Sequence, residues 1–297
     1  MTLISRLVFF NQKKTLSKSS DRIITTDISV VVPVKDNQQG INNYLEHFLK
    51  THLQKDYPKE IIIVDNGSSI PIIIHQRHQS KNLKIKLFRC KKPGPGAARN
   101  LGANQATGKW ILFNDSDCIP TANLLSGYLK SDNLSIAYAG NVKSFGKDKL
   151  SKYYDSQEIL IPLKTYSYRG LFVPQYLITA NALVWREAFI EVNGFNESFQ
   201  LAGGEDVDLG LRLAQIGELS YAMESVVLHN FNDGWKGFYK RFIRYGEGNK
   251  IVAQLWQTNL RPKLFRPNKR TAFNEVAAKL QFIFLFIGYL KSTKITD

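Results

Sequence analysis

The fold is constrained most by two short apolar runs, rich in β-branched residues, that are separated by a segment of helical period. The runs occupy residues 28–34 and 60–64, and polar residues follow each at once. Between them, apolar side chains recur every three or four positions, at Ile41, Tyr44, Leu45, Phe48 and Leu49. Strands that are apolar throughout are buried on both faces, as in parallel sheets, and a strand–helix–strand order favours that arrangement. The sequence therefore predicts an α/β fold with a mostly parallel central sheet flanked by helices.

A third apolar run ends in two carboxylates. Residues 110–113 lead through Asn114 into Asp115 and Asp117, which are separated by Ser116. Alternate residues of an extended chain point to the same side, so both carboxylates can face one ligand. Two negative charges at this spacing repel each other, and a hard divalent cation that carries phosphate oxygens would neutralise them. A plain turn after the strand is the alternative, because Asp and Ser are favoured in turns.

Polar clusters follow three of the predicted strands, at residues 35–37, 65–69 and 114–117. Ligands of open parallel sheets bind beyond the carboxyl ends of the strands. We therefore expect the three clusters to share one edge of the sheet and to line a single ligand site. Further along the chain, short strands are predicted at 135–138 and 177–185, and a helix from 205 to 216.

The composition indicates a folded, basic protein. The chain has 297 residues, of which 43% are hydrophobic, enough for one large α/β domain with an appendage. Its 40 Lys and Arg residues outnumber 25 Asp and Glu residues, a formal net charge of +15 that favours polyanionic partners such as nucleotides, phospholipid headgroups, acidic glycans or nucleic acid. Two cysteines exclude a disulfide scaffold and favour a reducing cytosol.

The two ends of the chain carry apolar segments without a full targeting signal. The N-terminal run at 7–10 lacks the apolar core and cleavage site of a signal peptide, so we expect none. The apolar segment at 280–290 is shorter than the roughly 18 to 20 residues that a membrane-spanning helix needs. It would suit either a membrane interface or a terminal helix packed on the domain.

Five motifs, taken in their order along the chain, resemble those of family 2 glycosyltransferases. They are Val32-Pro33-Val34, Val64-Asp65-Asn66-Gly67-Ser68, the glycine-bounded segment 96–102, Asp115-Ser116-Asp117 and Gly204-Glu205-Asp206. The resemblance implies the GT-A fold and an inverting transfer from a nucleotide-activated sugar, commonly a UDP-sugar, with Mn²⁺ or Mg²⁺. It also implies a domain at 28–230, with a nucleotide-binding half at 28–120 and an acceptor half at 121–230. A lead-in at 1–27 and a basic, aromatic and helical extension at 231–297 complete the chain.

The resemblance assigns the nucleotide side of the site. Asp65 matches the acid that hydrogen-bonds the base, although Asn66 stands where the family has a second Asp. Arg99 begins a helix, and its guanidinium would point to the nucleotide, where such a group can fork onto phosphate oxygens. A solvated arginine is the alternative. The remaining donor-binding candidates are Pro33, Val34, Asp36, Ser116, Asn181 and Gly204.

The resemblance also assigns the metal and the base. Asp117 would bind the metal, Asp115 would touch ribose or the metal's water, and His229 would complete the coordination. A structural or exposed histidine is the alternative for His229. Asp206 would be the general base and Glu205 its alternative or an acceptor-orienting partner, since both open a helix whose dipole favours carboxylates. Ordinary acids of a first helical turn look the same, and Asp208 is expected to be one, paired with Arg212.

Two other functions fit part of the sequence. A nucleotidyltransferase would also combine a nucleotide-binding half with acids, but the first strand is not followed by a glycine-rich loop with a lysine. A nucleic-acid-binding protein would explain the basic and aromatic stretch 235–245 but not the carboxylates at strand ends. We therefore expect no nucleic-acid partner. Because of the charge and the segment at 280–290, the expected enzyme is cytoplasmic, contacts the anionic inner face of the membrane, and acts on a glycan or lipid-linked acceptor.

Overall fold

A computed structural model gives the fold and describes residues 22–131, 134–167 and 170–291. Most of the predicted lead-in, residues 1–21, lies outside the described residues. The helices are α1 Gln38–Thr51, α2 Pro95–Gln105, α3 Asn123–Leu129, α4 Lys149–Ser156, α5 Arg186–Glu191, α6 Glu205–Ala214, α7 Gly234–Leu255 and α8 Ala272–Lys291. The strands are β1 Ile28–Val34, β2 Glu60–Asp65, β3 Ile85–Arg89, β4 Trp110–Asn114, β5 Cys118–Pro120, β6 Ala137–Ser144, β7 Lys164–Tyr166, β8 Phe172–Pro174, β9 Asn181–Trp185 and β10 Leu219–His229.

An eight-stranded sheet organises the described residues, in the order β3-β2-β1-β4-β9-β6-β10-β5. Strands β3, β2, β1 and β4 are mutually parallel, and β6 is parallel to β10. Strand β9 runs antiparallel to both of its neighbours, and β5 runs antiparallel to β10. The predicted α/β class with a mostly parallel sheet is confirmed. The register pairs Val34 with Asp65, which brings the carboxyl ends of β1 and β2 together as expected.

Local sequence explains how the first βαβ unit forms. The seven residues of β1 are apolar except Ser29, and helices cover the sheet on both faces, as fully apolar strands require. Helix α1 begins after Asn37, whose side-chain oxygen accepts a hydrogen bond from the Gly40 N–H and caps the helix. Helix α2 lies very close to the sheet at Gly102, where an added Cβ would be 2.4 Å from a Val31 methyl. Only glycine allows this approach.

The C-terminal helices belong to the same core as the sheet. The predicted boundary at residue 230 follows the end of β10, yet Phe238, Phe242 and Ala277 are buried in one cluster with residues of β1 and α1. Helices α7 and α8 pack so closely that an added Cβ at Gly246 would meet the Leu285 carbonyl oxygen at 2.1 Å. The 231–297 region therefore completes the domain core as far as the structure describes it.

Helix α8 is longer than the apolar segment noted in the sequence. Its 20 residues make it the one helix of the described ranges that is long and apolar enough to cross a membrane, judged by length and composition alone. The sequence predicted an apolar segment of residues 280–290 only, which is too short to span a membrane. The helix begins at Ala272, and these additional residues correct that expectation. Ala277 and Gly288 are buried against the domain, whereas Val276, Ile283 and Leu290 are exposed.

Candidate functional site

A cleft of about 760 Å³ lies beyond the carboxyl ends of β1 and β4. The first turns of α2 and α6 form one side, and residues of α7 and α8 form another. Predicted site residues that line it are Pro33, Val34, Arg99, Asp115, Ser116, Asp117, Gly204, Glu205, Asp206 and His229. The structure thus brings most of the predicted site residues together. This agrees with the rule that ligands of parallel sheets bind beyond the carboxyl ends of the strands.

Arg99 joins two carboxylates that are far apart in sequence. Its side chain is buried on α2, and its guanidinium lies 2.7 Å from Asp115 Oδ1 and 2.9 Å from Glu205 Oε1. Burial opposes the charge, but the two carboxylates outweigh it and raise the pKa of Arg99. The predicted contact with the nucleotide stays a prediction, since Arg99 lines the cleft and each of its two terminal nitrogens spends one N–H on a carboxylate. Arg99 also fixes the end of β4 relative to the start of α6.

Asp115, Asp117 and His229 form a cluster that can hold a metal ion. One potential ligand atom from each lies within 4.8 Å of the others. The antiparallel register pairs His229 of β10 with Cys118 of β5, and His229 Nε2 is consequently 3.3 Å from Asp117 Oδ2. The ring is fixed by stacking on Phe231, with the centroids 4.3 Å apart.

The electrostatics of this cluster favour a cation. Burial and, more weakly, the neighbouring Asp115 raise the pKa of Asp117, while His229 opposes the increase. A divalent cation between the groups would remove the repulsion between the carboxylates. Carboxylate oxygens with one imidazole suit Mn²⁺ and Mg²⁺, so the residues fit the metal that the sequence predicts.

Glu205 and Asp206 differ sharply in their surroundings. Glu205 is buried, and its two oxygens accept from Arg99 and, at 2.6 Å, from the Gly203 N–H. Asp206 lies on the cleft wall, where it accepts from the backbone N–H groups of Val207 at 2.9 Å and Thr179 at 3.4 Å. Burial, and then the adjacent Glu205, raise the pKa of Asp206 to about 7. Asp206 can therefore exchange a proton near neutral pH.

Two glycines permit this geometry at the start of α6. Gly203 and Gly204 have φ angles of +135° and +102°, which only glycine adopts without strain. The Asp208 carboxylate in the first turn of α6 lies 2.8 Å from Arg212 Nη2, which confirms the predicted ion pair. Asp208 also accepts from Trp256, so it has a structural role.

Asp65 and Asp36 do not line the cleft. Asp65 is buried at the end of β2, where it accepts from the Ser68 N–H at 2.8 Å and pairs with Arg89 at 3.2 Å. Burial opposes ionisation, yet the hydrogen bonds and Arg89 lower the pKa of Asp65. Asp36 ties the first strand end to the second through a hydrogen bond from the Ser69 N–H. Both acids shape the loop that presents Asn66, which does line the cleft.

Asn181 was predicted to contact the donor sugar, and the structure corrects this. Its side chain is 1% exposed and does not line the cleft. The amide nitrogen donates to the carbonyl oxygens of Asn141 and Ser225, and the amide oxygen accepts from Tyr128. The neighbouring residues Thr179 and Ala180 reach the cleft instead. Asn181 joins β9 to the adjoining part of the sheet.

The C-terminal helices supply cleft residues that the sequence analysis did not assign. Arg241 is 7% exposed, and its guanidinium lies 2.7 Å from Asp233 and 2.8 Å from the Tyr154 hydroxyl. Arg244 of α7 and Gln281 of α8 also line the cleft. The signal for the arginines was the basic and aromatic stretch 235–245, which was interpreted only as a nucleic-acid surface.

Comparisons with known proteins agree with this architecture. Solved structures similar to it include a mannosyltransferase of Pyrobaculum calidifontis in complex with GDP-Man and Mn²⁺, with a TM-score of 0.56, 15% identity, and coverage of 94% of this chain and 74% of that one. Another is GalNAc-T7 with UDP, GalNAc and Mn²⁺, with a TM-score of 0.54, 18% identity, and coverage of 80% of this chain and 50% of that one. These likenesses confirm the predicted GT-A fold.

Sequence comparisons identify the family. A pre-mycofactocin glycosyltransferase of Mycobacterium tuberculosis is 27% identical over 74% of this chain and 46% of that protein. The poly(ribitol-phosphate) β-N-acetylglucosaminyltransferase TarS of Staphylococcus aureus is 28% identical over 52% of this chain and 23% of that protein. The chain thus spans less than half the length of these relatives. Residues 171–225 match the N-terminal domain of galactosyltransferase, and residues 29–192, more than half of the chain, match glycosyl transferase family 2. The chain belongs to glycosyl transferase family 2.

Proposed function

We propose that the chain catalyses a metal-dependent, inverting transfer of a sugar from a UDP-sugar to a glycan or lipid-linked acceptor. The observation that carries this proposal is the presence, in one cleft, of the Asp115–Asp117–His229 cluster and of Asp206, a carboxylate outside that cluster. Similar folds have been solved with UDP and Mn²⁺, with UDP-GlcNAc and with GDP-Man and Mn²⁺. Family membership favours this function over a nucleotidyltransferase or a nucleic-acid-binding protein.

Each side of the cleft then has a task in the reaction. Asp117, His229 and Asp115 would hold Mn²⁺ or Mg²⁺, whose charge stabilises the diphosphate as it leaves. Pro33, Val34 and Asn66 border the space for the nucleotide. Arg99 holds Asp115 and Glu205 in place, so the donor side and the acceptor side keep a fixed relation.

Asp206 is the proposed general base. The acceptor hydroxyl attacks the anomeric carbon from the face opposite the diphosphate, the bond from that carbon to the phosphate oxygen breaks, and the hydroxyl proton passes to the Asp206 carboxylate. With a pKa of about 7, about half of the Asp206 carboxyl groups are ionised near neutral pH, and the ionised form is basic enough to take a proton. Glu205 is the poorer candidate because Arg99 and Gly203 occupy its oxygens.

A thermal-shift panel of UDP-, GDP- and dTDP-sugars, each with and without Mn²⁺, tests the donor class. We expect a UDP-sugar with Mn²⁺ to raise Tm by about 5 °C, because a ligand at 100 times its Kd contributes about 2.7 kcal/mol. Mn²⁺ or the UDP-sugar alone should give a much smaller shift. Stabilisation by GDP- or dTDP-sugars instead would reject UDP, and shifts that do not depend on Mn²⁺ would reject the metal.

We further propose that the enzyme is cytoplasmic and contacts an anionic membrane through α8. Val276, Ile283 and Leu290 expose apolar side chains on this helix, and the chain carries a formal charge of +15. Ile283→Asp should reduce co-sedimentation with phosphatidylglycerol vesicles by more than half. Ile190→Asp on α5 is the matched control, since Ile190 is equally an exposed isoleucine, and it should sediment like the wild type. Equal sedimentation of both variants would place the membrane contact elsewhere or exclude it.

A further inference from the structure

Helix α7 carries a second cavity beside the cleft, of about 280 Å³, which we call the α7 groove. Its lining residues are Asp233, Lys236, Gly237, Lys240, Arg241 and Arg244. Four of these side chains are cationic and one is anionic. Asp233, Arg241 and Arg244 also line the cleft, so the groove opens into the proposed active site.

The charge of the α7 groove is not neutralised within the described part of the chain. Arg241 pairs with Asp233, but Lys236, Lys240 and Arg244 form no ion pair with any residue that the structure describes. Arg244 Nε is, moreover, a buried nitrogen without a hydrogen-bond partner among those residues. Buried donors and concentrated like charges are costly unless a ligand satisfies them. The chemistry indicated is that of a phosphate, which both arginine and lysine bind.

The position of the lysines separates this ligand from the donor. Lys236 and Lys240 line the groove but not the cleft, whereas the donor's diphosphate belongs at the metal cluster inside the cleft. A second anion, reaching the same cleft from the side of α7, fits the remaining substrate. We propose that the α7 groove binds a phosphate group of the acceptor, an inference that rests on the proposed transferase function and adds the acceptor's chemical class to it.

Binding measurements with two phosphate probes test the groove. Dodecyl phosphate, used below its micelle concentration, stands for a lipid phosphate, and a glycerol phosphate trimer stands for a phosphodiester polymer. Lys236→Gln/Lys240→Gln should weaken binding of at least one probe about tenfold by calorimetry. Lys81→Gln/Lys84→Gln, two exposed lysines before β3, removes the same charge away from the groove and should change Kd by less than twofold. The probe with the larger groove dependence identifies the acceptor's source of phosphate.

Three results would overturn the proposal. The wild-type protein could bind neither probe at millimolar concentration, or the groove and control variants could lose affinity equally. Alternatively, the groove variant could lose affinity for UDP with Mn²⁺, which would assign the groove to the donor. Unfolding curves of all variants confirm that they are folded. If UDP and Mn²⁺ do not bind the wild type but the probes do so through Lys236 and Lys240, the transferase function fails and the phosphate site stands.

Discussion

Replacing Asp117 by alanine is expected to lower kcat by a factor of at least ~10³ and to remove its dependence on Mn²⁺. The variant leaves Asp115 and His229 in place but removes one of the two carboxylates of the cluster, the one that lies 3.3 Å from His229 Nε2. A cation held there would contribute several kcal/mol to the departure of the diphosphate, and each 1.36 kcal/mol is tenfold in rate. Steady-state turnover of the UDP-sugar across a Mn²⁺ titration measures the effect.

The control for Asp117→Ala separates the cluster from general loss of negative charge. Glu224 is an exposed acid that pairs with Lys130 on the surface, and Glu224→Ala should keep wild-type turnover at every Mn²⁺ concentration. Asp117→Ala should also remain folded, because it removes a partly exposed carboxylate that Asp115 repels. Unchanged activity of Asp117→Ala at saturating Mn²⁺ would disprove the metal assignment.

The sequence predicted strands β1, β2 and β4 well because local signals determine them. The runs at 28–34, 60–64 and 110–113 are so apolar that exposing them to water would be unfavourable. All three form buried strands. The polar residues that follow these strands meet at one edge of the sheet, because parallel strands all have their carboxyl ends at the same edge. The strand predicted at 177–185 begins only at Asn181, since its apolar and polar residues do not alternate clearly.

Local sequence signals do not determine which side chains pair across long stretches of the chain. Arg99 and Glu205 are separated by 106 positions, and nothing local to either residue indicates that they bind each other. Asn181 was predicted to contact the donor sugar from a predicted strand, but the direction of its side chain depends on contacts with β6 and with Ser225 of β10. His229 reaches Asp117 only through the antiparallel pairing of β10 with the short strand β5.

Asp206→Asn is expected to lower kcat by about 10² to 10⁴, the usual contribution of a general base, while the affinity for UDP and Mn²⁺ stays within twofold.

The same substitution should stabilise the protein. The pKa of Asp206 is about 7 in the folded chain against an ordinary value of 3.8, so the folded state binds the proton more tightly than the unfolded state. The protonated Asp206 therefore contributes to the free energy of unfolding of the wild type. This contribution is fully present below about pH 4 and is lost as the pH rises through 7. The Tm advantage of Asp206→Asn should therefore grow over this range and reach about 2 °C or more above pH 7.

The two effects have one physical cause, since the burial that makes Asp206 a base at neutral pH also makes its charge costly to fold. The wild-type kcat/KM should accordingly rise with pH, and the midpoint of the rise should lie near pH 7, where the Asp206 carboxyl group loses its proton. Asp208→Asn, two residues further along α6, changes a carboxylate that pairs with Arg212, and it should destabilise the protein without shifting that midpoint. If Asp206→Asn instead loses UDP affinity, or the wild-type profile is flat between pH 5 and 8, Asp206 supports the fold and the proton leaves by another route.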